Sequence, residues 1–328
     1  MEPFGVAANC APDVDRLYAV LGDLLRARGL PVPTRITGRH VNAYASSFPS
    51  EVIEYELGDG TRRLVHAKYQ AGQAHTDHGH RRDLPYEAAV YELLVCPVGL
   101  PVPQWLGLHR EGNCDTWLFL EHLEHAVELD EAPLPDEALV AAARWIGAFH
   151  AWHEAHPAAA SALHPTRYDA PYYLGWIERT LAFAGPWHER LAWLSPVARR
   201  SEELLRELAS VGTTVVHGEF TPSNVLFADG VVYPIDWESA AVGPGEIDVV
   251  CLTDKWPSDV SHACIAAYTA ARWPAGAPAD AARRFDLARV YWDFRWLGDR
   301  PEWTGSDRVG ARFDHLRRAV ERLSGRVV

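Results

Sequence analysis

The sequence predicts an α+β fold in two lobes, with a small antiparallel β-sheet in the amino-terminal lobe and a larger, mainly helical carboxy-terminal lobe. Three observations lead to this prediction. Strand-like runs separated by turn residues are concentrated before residue 120, helical spacing of apolar residues dominates after it, and one strong hairpin signal interrupts the helical part. We therefore expect lobes at 1–120 and 121–328.

The composition is that of an ordinary globular protein. The 328 residues are 48% hydrophobic and 23% charged, and no stretch approaches 18 uninterrupted apolar residues, so we expect no membrane span. Met1 to Cys10 lacks the basic start and apolar core of a signal peptide, which predicts a cytoplasmic protein. The five cysteines are scattered without a Cys-x-x-Cys pair, which indicates reduced thiols.

The formal net charge of the chain is −13. Nucleic acids and anionic membranes bind through basic surfaces, so this charge argues against both kinds of partner. It permits a cationic small-molecule partner. An acidic surface also keeps a protein in solution, and this second explanation accounts for most of the charge without any ligand.

The amino-terminal lobe begins with a helix and three strands. Apolar residues at helical spacing predict a helix from Asp13 to Arg28, ended by Gly29. Strands are predicted at Thr34–Gly38, Val52–Leu57 and Arg62–Tyr69, with Asp59-Gly60 as the turn between the last two.

A buried acidic residue follows in the next helix, predicted from Leu84 to Val95. One line along this helix, at three- and four-residue steps, contains Leu84, Glu87, Tyr91 and Leu94. Glu87 therefore points inward, and because an unpaired buried carboxylate is costly, it should meet a cation. Strand alternation places Lys68 and His66 on one face of the strand before it.

The connection Ala71 to Arg82 carries three histidines, His75, His78 and His80. This spacing is compatible with a transition-metal site, but the loop is polar, lacks cysteine and offers only Asp77 as a further ligand. We favour solvent-exposed histidines, and a metal site is the alternative.

After two short strands, Gln104–Leu108 and Thr116–Leu120, the chain becomes mainly helical. A long helix begins at Pro135-Asp136-Glu137, which places acidic residues in its first turn. A second helical region covers Leu181 to Leu208, with interruptions at Pro186 and Pro196, and leads into a strand at residues 213–216.

The segment from Phe285 to Trp303 combines carboxylates with aromatic rings, among them Trp292, Asp293, Trp296 and Asp299. Such a combination suits polar, hydroxylated or amine-bearing ligands. Aromatic stripes on helices usually belong to the core, so a pocket and a core are both open explanations for the rings. Asp293 and Asp299 are the better substrate-binding candidates.

The clearest functional signal lies between Val215 and Glu238. His217-Gly218-Glu219 begins a polar loop, Asn224 follows five residues after Glu219, and Ile235-Asp236-Trp237-Glu238 ends the stretch. Two apolar runs flank Ala228-Asp229-Gly230, which predicts an antiparallel hairpin.

The hairpin brings two metal-ligand types to its open end. A three-residue turn sets Phe227 opposite Val231, and counting outward then sets Asn224 opposite Pro234. Asp236 follows two residues later at the same end. Mg²⁺ prefers oxygen ligands and takes only one or two from the protein, so one ion could contact both the Asn224 and the Asp236 side chain.

These motifs resemble the aminoglycoside phosphotransferase family, whose members are relatives of protein kinases and whose loop reads His-Gly-Asp-x-x-x-x-Asn. The resemblance implies a bilobal protein-kinase-like fold with His217, Glu219, Asn224 and Asp236 in the catalytic set. Glu219 would orient or deprotonate the acceptor hydroxyl, while Asn224 and Asp236 would hold magnesium. Glu219 departs from the family's shorter Asp, which displaces the carboxylate by one methylene.

The resemblance also implies a nucleotide site in the first lobe. Lys68 would contact the α- and β-phosphates and pair with Glu87. The connection Arg39 to Pro49 would cover the nucleotide and offer the hydroxyls of Ser46 and Ser47 to phosphate, although it contains no glycine. An ordinary surface loop is the alternative for this connection.

Further residues receive roles from the same resemblance. His66 would line the adenine pocket, and Glu121-His122-Leu123 would form the hinge whose backbone pairs with the adenine edge. Asp248, at the end of Gly243-Pro244-Gly245-Glu246-Ile247-Asp248, would support the catalytic loop by hydrogen bonds. The carboxy-terminal lobe would supply the acceptor pocket.

We therefore expect a magnesium-dependent kinase that transfers the γ-phosphoryl group of ATP or GTP to a hydroxyl of an aminoglycoside-like compound, a sugar or another small metabolite. A kinase for Ser or Thr in peptides is one alternative, because the same site can serve any alcohol. A nucleotide-binding module that has lost catalysis is the other, suggested by Glu219 and by the missing glycines. The sequence predicts neither the acceptor nor the oligomeric state.

Overall fold

The amino-terminal part of the computed structural model is a five-stranded antiparallel sheet with the strand order β1-β2-β3-β5-β4. The structure describes residues 12–42, 48–71, 78, 80–111, 115–301 and 309–325. The strands are β1 (Arg35–Val41), β2 (Ser50–Glu56), β3 (Arg62–Ala71), β4 (Trp105–Glu111) and β5 (Asp115–Glu121). The predicted antiparallel sheet is confirmed.

The two faces of this sheet have different partners. Helix α1 (Val14–Ala27) buries Leu17 and Leu21 against one face, where they share a core with Ala67 and Phe119. Lys68 is in register with Leu118 on β5, and Leu118 belongs to the core that continues into the helical part. The side chain of Lys68 therefore lies on the face turned toward the helical lobe.

Helix α2 (Leu84–Val90) follows β3 and continues through a wider π-helical turn over Tyr91–Val95. Its N-terminus is capped by Asp83, whose carboxylate accepts a hydrogen bond from Tyr86 N at 3.1 Å. The predicted line of inward residues, including Glu87, is fully buried.

The rest of the chain is mainly helical. Its helices are α3 (Pro135–Ala155), α4 (Ala158–Ser161), α5 (Ala170–Ala184), α6 (Leu194–Ser210), α7 (Glu246–Leu252), α8 (Ser258–Arg272), α9 (Ala281–Asp299) and α10 (Gly310–Ser324). Helix α5 begins before the predicted helical region, and Pro196 does not interrupt α6. Pro196 lies in the first turn, where a backbone N–H has no helical partner to lose. Among the described residues, no helix is long and apolar enough to cross a membrane.

The described residues also form six short strands: β6 (Val127–Glu128), β7 (Thr166–Arg167), β8 (Thr214–Val216), β9 (Val225–Ala228), β10 (Val231–Pro234) and β11 (Ala241–Gly243). The predicted hairpin is β9–β10, but its predicted register is wrong by one residue. Val231 pairs with Ala228, so the turn contains only Asp229 and Gly230, with φ of +50° and +81°. Both residue types tolerate positive φ, which the two-residue turn requires.

The corrected register changes the partner of Asn224. Its backbone oxygen accepts a hydrogen bond from Ile235 N at 2.9 Å, so Asn224 lies opposite Ile235 and not opposite Pro234. Asp236 is the next residue along the chain. The two predicted metal ligands, Asn224 and Asp236, are therefore offset by one residue at the open end of the hairpin, because Asp236 follows the residue that pairs with Asn224.

Candidate active site

The loop between β8 and β9 is held by a buried carboxylate on α7. Asp248 accepts hydrogen bonds from the backbone N–H of His217 at 2.8 Å and of Gly218 at 2.9 Å. Gly218 has a φ of +84°, and a Cβ placed there would lie 2.4 Å from the backbone oxygen of Ser239. Glycine is therefore required where the loop turns against the β10–β11 connection.

His217 itself is part of the loop's framework. Burial lowers the pKa of its imidazole, which is therefore neutral at pH 7. Its Nε2 lies 2.8 Å from Ile235 O, and its Nδ1 lies 3.3 Å from the backbone nitrogen of Glu219. A neutral ring that donates from Nε2 and accepts at Nδ1 satisfies both contacts, so both nitrogens are engaged within the protein.

Lys68 joins the two lobes by bridging two carboxylates. Its Nζ donates to Glu87 Oε1 at 2.8 Å on α2, and it also donates to Asp236 Oδ1 beyond β10. Burial alone would lower the pKa of Lys68, but Asp236 and Glu87 outweigh burial and hold the pKa well above its ordinary value. The ammonium group is therefore fixed in its charged form between α2 and the hairpin.

Asn224 and Asp236 have the donor chemistry that magnesium requires. Asn224 Nδ2 donates to the backbone oxygen of Glu219 at 2.9 Å, which leaves Oδ1 of the amide as an acceptor for a cation. The Asp236 side chain is 36% exposed, and its backbone has a φ of +62°. Burial of this carboxyl raises its pKa, but Lys68 outweighs that effect, so the pKa is lowered and the group is ionised. An amide oxygen and a carboxylate fit a hard ion.

Glu219 is surrounded by hydrogen-bond donors. Its Oε1 accepts from Arg81 Nη2 at 3.0 Å and from Arg295 Nη2, while its Oε2 accepts from Arg81 Nε at 3.3 Å and from Ser239 Oγ at 2.9 Å. A carboxylate offers about four acceptor positions, so all of them are filled. Burial alone would raise the pKa of Glu219, but Arg295 and Arg81 hold it well below its ordinary value.

The family follows from a match over most of the sequence. A profile of the phosphotransferase enzyme family matches residues 55–282, more than half of the chain. The chain belongs to this family. It is therefore a small-molecule phosphotransferase with an alcohol group as acceptor, and the resemblance drawn from the motifs around His217 and Asp236 is confirmed. No significant sequence match to a curated protein was found.

Solved structures share the fold of this phosphotransferase over almost its whole length. A macrolide 2′-phosphotransferase from Brachybacterium faecium is 20% identical with a TM-score of 0.53, covering 92% of this chain and 97% of that one. A choline kinase from Streptococcus pneumoniae is 15% identical with a TM-score of 0.57, covering 94% and 99%. An aminoglycoside 2′-phosphotransferase solved with GDP is 12% identical with a TM-score of 0.62, covering 94% and 99%. The bilobal kinase-like fold is thereby confirmed.

The other predicted nucleotide residues of the phosphotransferase lie around the sheet. Burial lowers the pKa of His66 to about 4, with Lys68 adding to the effect, and His66 is in register with Leu120 on the same face as Lys68. Glu121 ends β5, and its carboxylate accepts a hydrogen bond from Gln104 N at 3.0 Å. Leu123 follows it, and its backbone oxygen accepts from Ala126 N at 3.3 Å. Ser46 and Ser47 lie outside the described residues.

The predicted substrate residues lie on helix α9 and point to different neighbours. Asp293 is fully buried and binds α10, with Oδ1 2.9 Å from Arg312 Nη1 and Oδ2 2.7 Å from His315 Nδ1. These contacts favour a structural role for Asp293. The rings of Trp292 and Trp296 stack with Arg295 at 5.0 Å and with Arg312 at 4.9 Å, respectively.

Two of the loop histidines pack against the helical lobe of the phosphotransferase. His78 Nε2 lies 3.0 Å from the backbone oxygen of Tyr172, and the ring fits against Gly175, where a Cβ would approach it to 2.0 Å. His80 is buried, so the prediction of a solvent-exposed histidine is wrong at this position, and its Nε2 lies 3.5 Å from Asp299 Oδ1. His75 and Asp77 lie outside the described residues.

The sequence interpretation missed Arg81, Arg295 and Ser239, which all contact Glu219. Arg81 precedes α2 and Arg295 lies on α9, so the two guanidinium groups approach the carboxylate from different lobes. A signal for Arg295 exists, because it lies four residues from the buried Tyr291 on one face of a buried helix. Loop residue Arg81 offers no such periodicity.

Proposed function

We propose that this phosphotransferase moves the γ-phosphoryl group of ATP or GTP to a hydroxyl of a small metabolite or antibiotic, with Mg²⁺ as cofactor. The observation that carries the proposal is the position of Lys68 Nζ between Glu87 on α2 and Asp236 beyond the hairpin. In the proposed site, this contact would set a phosphate-binding cation beside a metal-binding carboxylate, an arrangement that kinases use for phosphoryl transfer from a nucleotide. The related aminoglycoside 2′-phosphotransferase was solved with GDP, which supports a nucleotide donor.

In the proposed site, each residue has a separate task. Lys68 would contact the α- and β-phosphates, with Glu87 fixing its position. Asn224 and Asp236 would hold the magnesium ion, which neutralises charge on the phosphate oxygens when bound. Asp248 keeps the catalytic loop in place through its hydrogen bonds to the backbone of His217 and Gly218.

Glu219 would orient the acceptor hydroxyl through Oε2. Of its donors, the Ser239 hydroxyl is the neutral one and can rotate away, whereas both arginines are charged. The hydroxyl oxygen then bonds to the γ-phosphorus, and the bond from that phosphorus to the β–γ bridging oxygen breaks. The electron pair leaves with the nucleoside diphosphate, and the hydroxyl proton passes to Glu219 and then to water. Because the transition state is loose, orientation matters more than early deprotonation.

A second candidate, a nucleotide-binding module without transfer, is favoured by one observation. All acceptor positions of Glu219 are filled by Arg81, Arg295 and Ser239. If none of these donors gives way, no acceptor hydroxyl can reach the carboxylate. Nucleotide would then bind at Lys68 without reaction.

The test is a transfer assay with γ-labelled ATP and GTP, Mg²⁺ and a panel of hydroxylated acceptors, together with nucleotide-induced thermal shifts. The proposal expects labelled product with at least one acceptor class. Nucleotide binding without transfer to any acceptor or to water would contradict it and favour the binding module. Transfer to peptide Ser or Thr in preference to small molecules would replace the proposed acceptor class.

A further inference from the structure

We infer that Tyr86 and His153 are positioning residues that anchor the two ends of helix α2 to the helical lobe. They thereby hold Glu87, and through it Lys68, beside Asp236. The inference rests on the proposed function, in which Lys68 binds the nucleotide phosphates. Each anchor is a hydrogen bond from a buried side chain of one lobe to a backbone oxygen of the other.

The first turn of α2 is anchored by Tyr86. This residue is buried, and its hydroxyl donates a hydrogen bond to the backbone oxygen of Ala240 at 2.6 Å. Ala240 caps the short turn that begins directly after Asp236. The backbone nitrogen of Arg82, just before the helix, donates to Glu238 O in the same turn at 3.0 Å. The first turn of α2 is therefore tied to the segment that carries the proposed metal ligand.

The far end of α2 is anchored by His153 of α3. The helix continues into the π-helical turn Tyr91–Val95 and then a 3₁₀ turn, in which Pro97 has no N–H to give to the Leu94 oxygen three residues earlier. The Nε2 atom of the buried His153 ring lies 3.0 Å from that oxygen. Burial lowers the pKa of this imidazole to about 4, so the ring is neutral at pH 7 and carries one proton. The contact with a carbonyl oxygen places that proton on Nε2.

Glu87 lies between these two anchors. Its side chain is fully buried and accepts a hydrogen bond from Lys68 Nζ at 2.8 Å. Lys68 belongs to the sheet, whereas its second carboxylate partner, Asp236, belongs to the helical lobe. The ammonium group bridges both carboxylates only while Glu87 keeps its position relative to Asp236. A helix anchored to the helical lobe provides that fixed position.

Helix α2 also contacts the sheet. Leu84 N donates a hydrogen bond to Gln70 Oε1 at 3.0 Å, and the rings of Tyr91 and Trp105 stack with their centroids 6.0 Å apart. These contacts hold α2 against the sheet but do not fix its distance from the helical lobe. Without its anchors, α2 would follow the sheet when the lobes move. Lys68 would then separate from the metal-binding end of the hairpin.

The first test is a double-mutant cycle of Tyr86→Phe and Glu87→Gln. The affinity for a non-hydrolysable nucleotide is measured by calorimetry in the presence of Mg²⁺. Tyr86→Phe removes one hydrogen bond and keeps the ring, so it should weaken nucleotide binding roughly three- to tenfold. Because Tyr86 acts through Glu87, the same change made in Glu87→Gln should weaken binding by less than about twofold further. Equal effects of Tyr86→Phe in both backgrounds would overturn the inference.

The matched control for the loss of the hydroxyl is Tyr69→Phe. Tyr69 is also buried and its hydroxyl donates to Glu51, but it lies on the face of the sheet that packs against α1. The control should keep nucleotide affinity within about twofold, and the melting temperature of each variant shows that it is folded. A loss of affinity as large as that in Tyr86→Phe would show that the effect is not specific to the α2 anchor.

The second test replaces His153 by Gln and by Leu. Gln offers an N–H where the imidazole has Nε2, whereas Leu offers none. His153→Gln should therefore keep nucleotide affinity within about twofold, and His153→Leu should weaken it roughly three- to tenfold. An equal loss of affinity in both variants would show that the packing of the ring matters and not its hydrogen bond to Leu94 O. That result would overturn the role of His153.

Amide hydrogen exchange of residues 84–95, measured without nucleotide, gives a readout that does not depend on the proposed function. We expect faster exchange there in Tyr86→Phe and in His153→Leu, and native exchange in Tyr69→Phe. Native exchange in all three variants would show that α2 is not anchored by these bonds. A native protein that binds no nucleotide would contradict the proposed function instead, and hydrogen exchange alone would then decide whether Tyr86 and His153 anchor α2.

Discussion

Glu219 is one methylene longer than the aspartate that the family carries at this position, and its surroundings supply a reason for the extra length. The carboxylate spans donors from three places, namely Arg81, Arg295 and Ser239. A shorter side chain would withdraw from at least one of them. The length of Glu219 is therefore matched to the positions of its three donors.

The first prediction concerns the charge of Glu219. Glu219→Gln should lower the turnover number by roughly ten- to ten-thousand-fold, the usual range for a positioned general base, with little change in nucleotide affinity. Glu219→Asp should also lose activity, because its carboxylate would fall short of the donors. Single-turnover transfer with labelled nucleotide measures both. A gain of activity in Glu219→Asp would show that the native site is impaired. An unchanged turnover number in Glu219→Gln would show that Glu219 takes no part in the reaction.

The second prediction uses the pKa of Glu219. Arg295 and Arg81 hold this pKa well below its ordinary value, so the carboxylate of the native enzyme stays ionised as the pH falls toward 5. In Arg81→Gln one of the two cations is lost, and burial, now opposed mainly by Arg295, moves the pKa upward. Activity that needs the ionised group should then fail at a higher pH than in the native enzyme. Profiles of kcat/KM against pH for both proteins test this, and superimposed acid limbs would contradict it.

At the residue scale, inward-pointing charges were predictable only where a periodic pattern gave their direction. Helical spacing identified the buried Glu87, and the four-residue step from Tyr291 to Arg295 would have indicated that Arg295 is buried as well. Arg81 lies in a loop, where the direction of a side chain depends on tertiary contacts that no spacing reveals. The structure supplied that contact.

At the scale of elements, helix α10 is attached to the lobe by a buried ion cluster. Arg312 binds Asp293 at 2.9 Å and Asp254 at 2.5 Å, and the lowered pKa of Asp254 reflects burial opposed by this guanidinium and by Arg289. Removing Arg312 leaves Asp254 with Arg289 alone and Asp293 with His315 alone. Such a loss costs about 3–5 kcal/mol in other proteins.

The third prediction is therefore that Arg312→Met lowers the free energy of unfolding by about 3 kcal/mol or more, measured by urea titration. The control is Arg322→Met, an exposed position in the last turn of the same helix, which should change stability by less than about 0.5 kcal/mol. Equal stability of the two variants would show that the cluster does not hold α10.

The hairpin shows why element boundaries were less predictable than element types. Its two strands followed from apolar runs around turn residues, but the number of residues in the turn did not. Asp229 and Gly230 form a two-residue turn at positive φ, and this moved the partner of Asn224 by one residue. The predicted start of the second helical region, Leu181, was wrong for a related reason, because Asp169 caps α5 well before that residue.

At the scale of the whole molecule, several buried histidines couple stability to pH. Burial lowers the pKa of His80 to about 2 and that of His153 to about 4, so both are neutral in the folded protein at pH 5. In the unfolded chain they take up protons near pH 6.5. The unfolded state then binds more protons than the folded state, so the free energy of unfolding falls as the pH drops below about 6.5.

The fourth prediction concerns the slope of the unfolding free energy against pH. Each such histidine contributes up to about 1.4 kcal/mol per pH unit between pH 6.5 and its folded pKa. His153→Gln should therefore reduce the slope of unfolding free energy between pH 6.5 and 4.5, whatever its effect at pH 7. His188→Gln, at an exposed position, is the control and should keep the native slope. An unchanged slope in His153→Gln would show that this histidine is protonated in the folded protein.

The central claim is that Lys68, Glu87, Asn224 and Asp236 form one nucleotide and magnesium site across the two lobes. Asp236→Asn tests it most directly, because Asn tolerates the positive φ of this position and keeps the side-chain volume while removing the charge. The control Asp229→Asn removes a carboxylate from the far end of the same hairpin. We expect Asp236→Asn to abolish magnesium-dependent nucleotide binding and phosphoryl transfer, and Asp229→Asn to retain both. Near-normal turnover of Asp236→Asn at saturating magnesium would contradict the account.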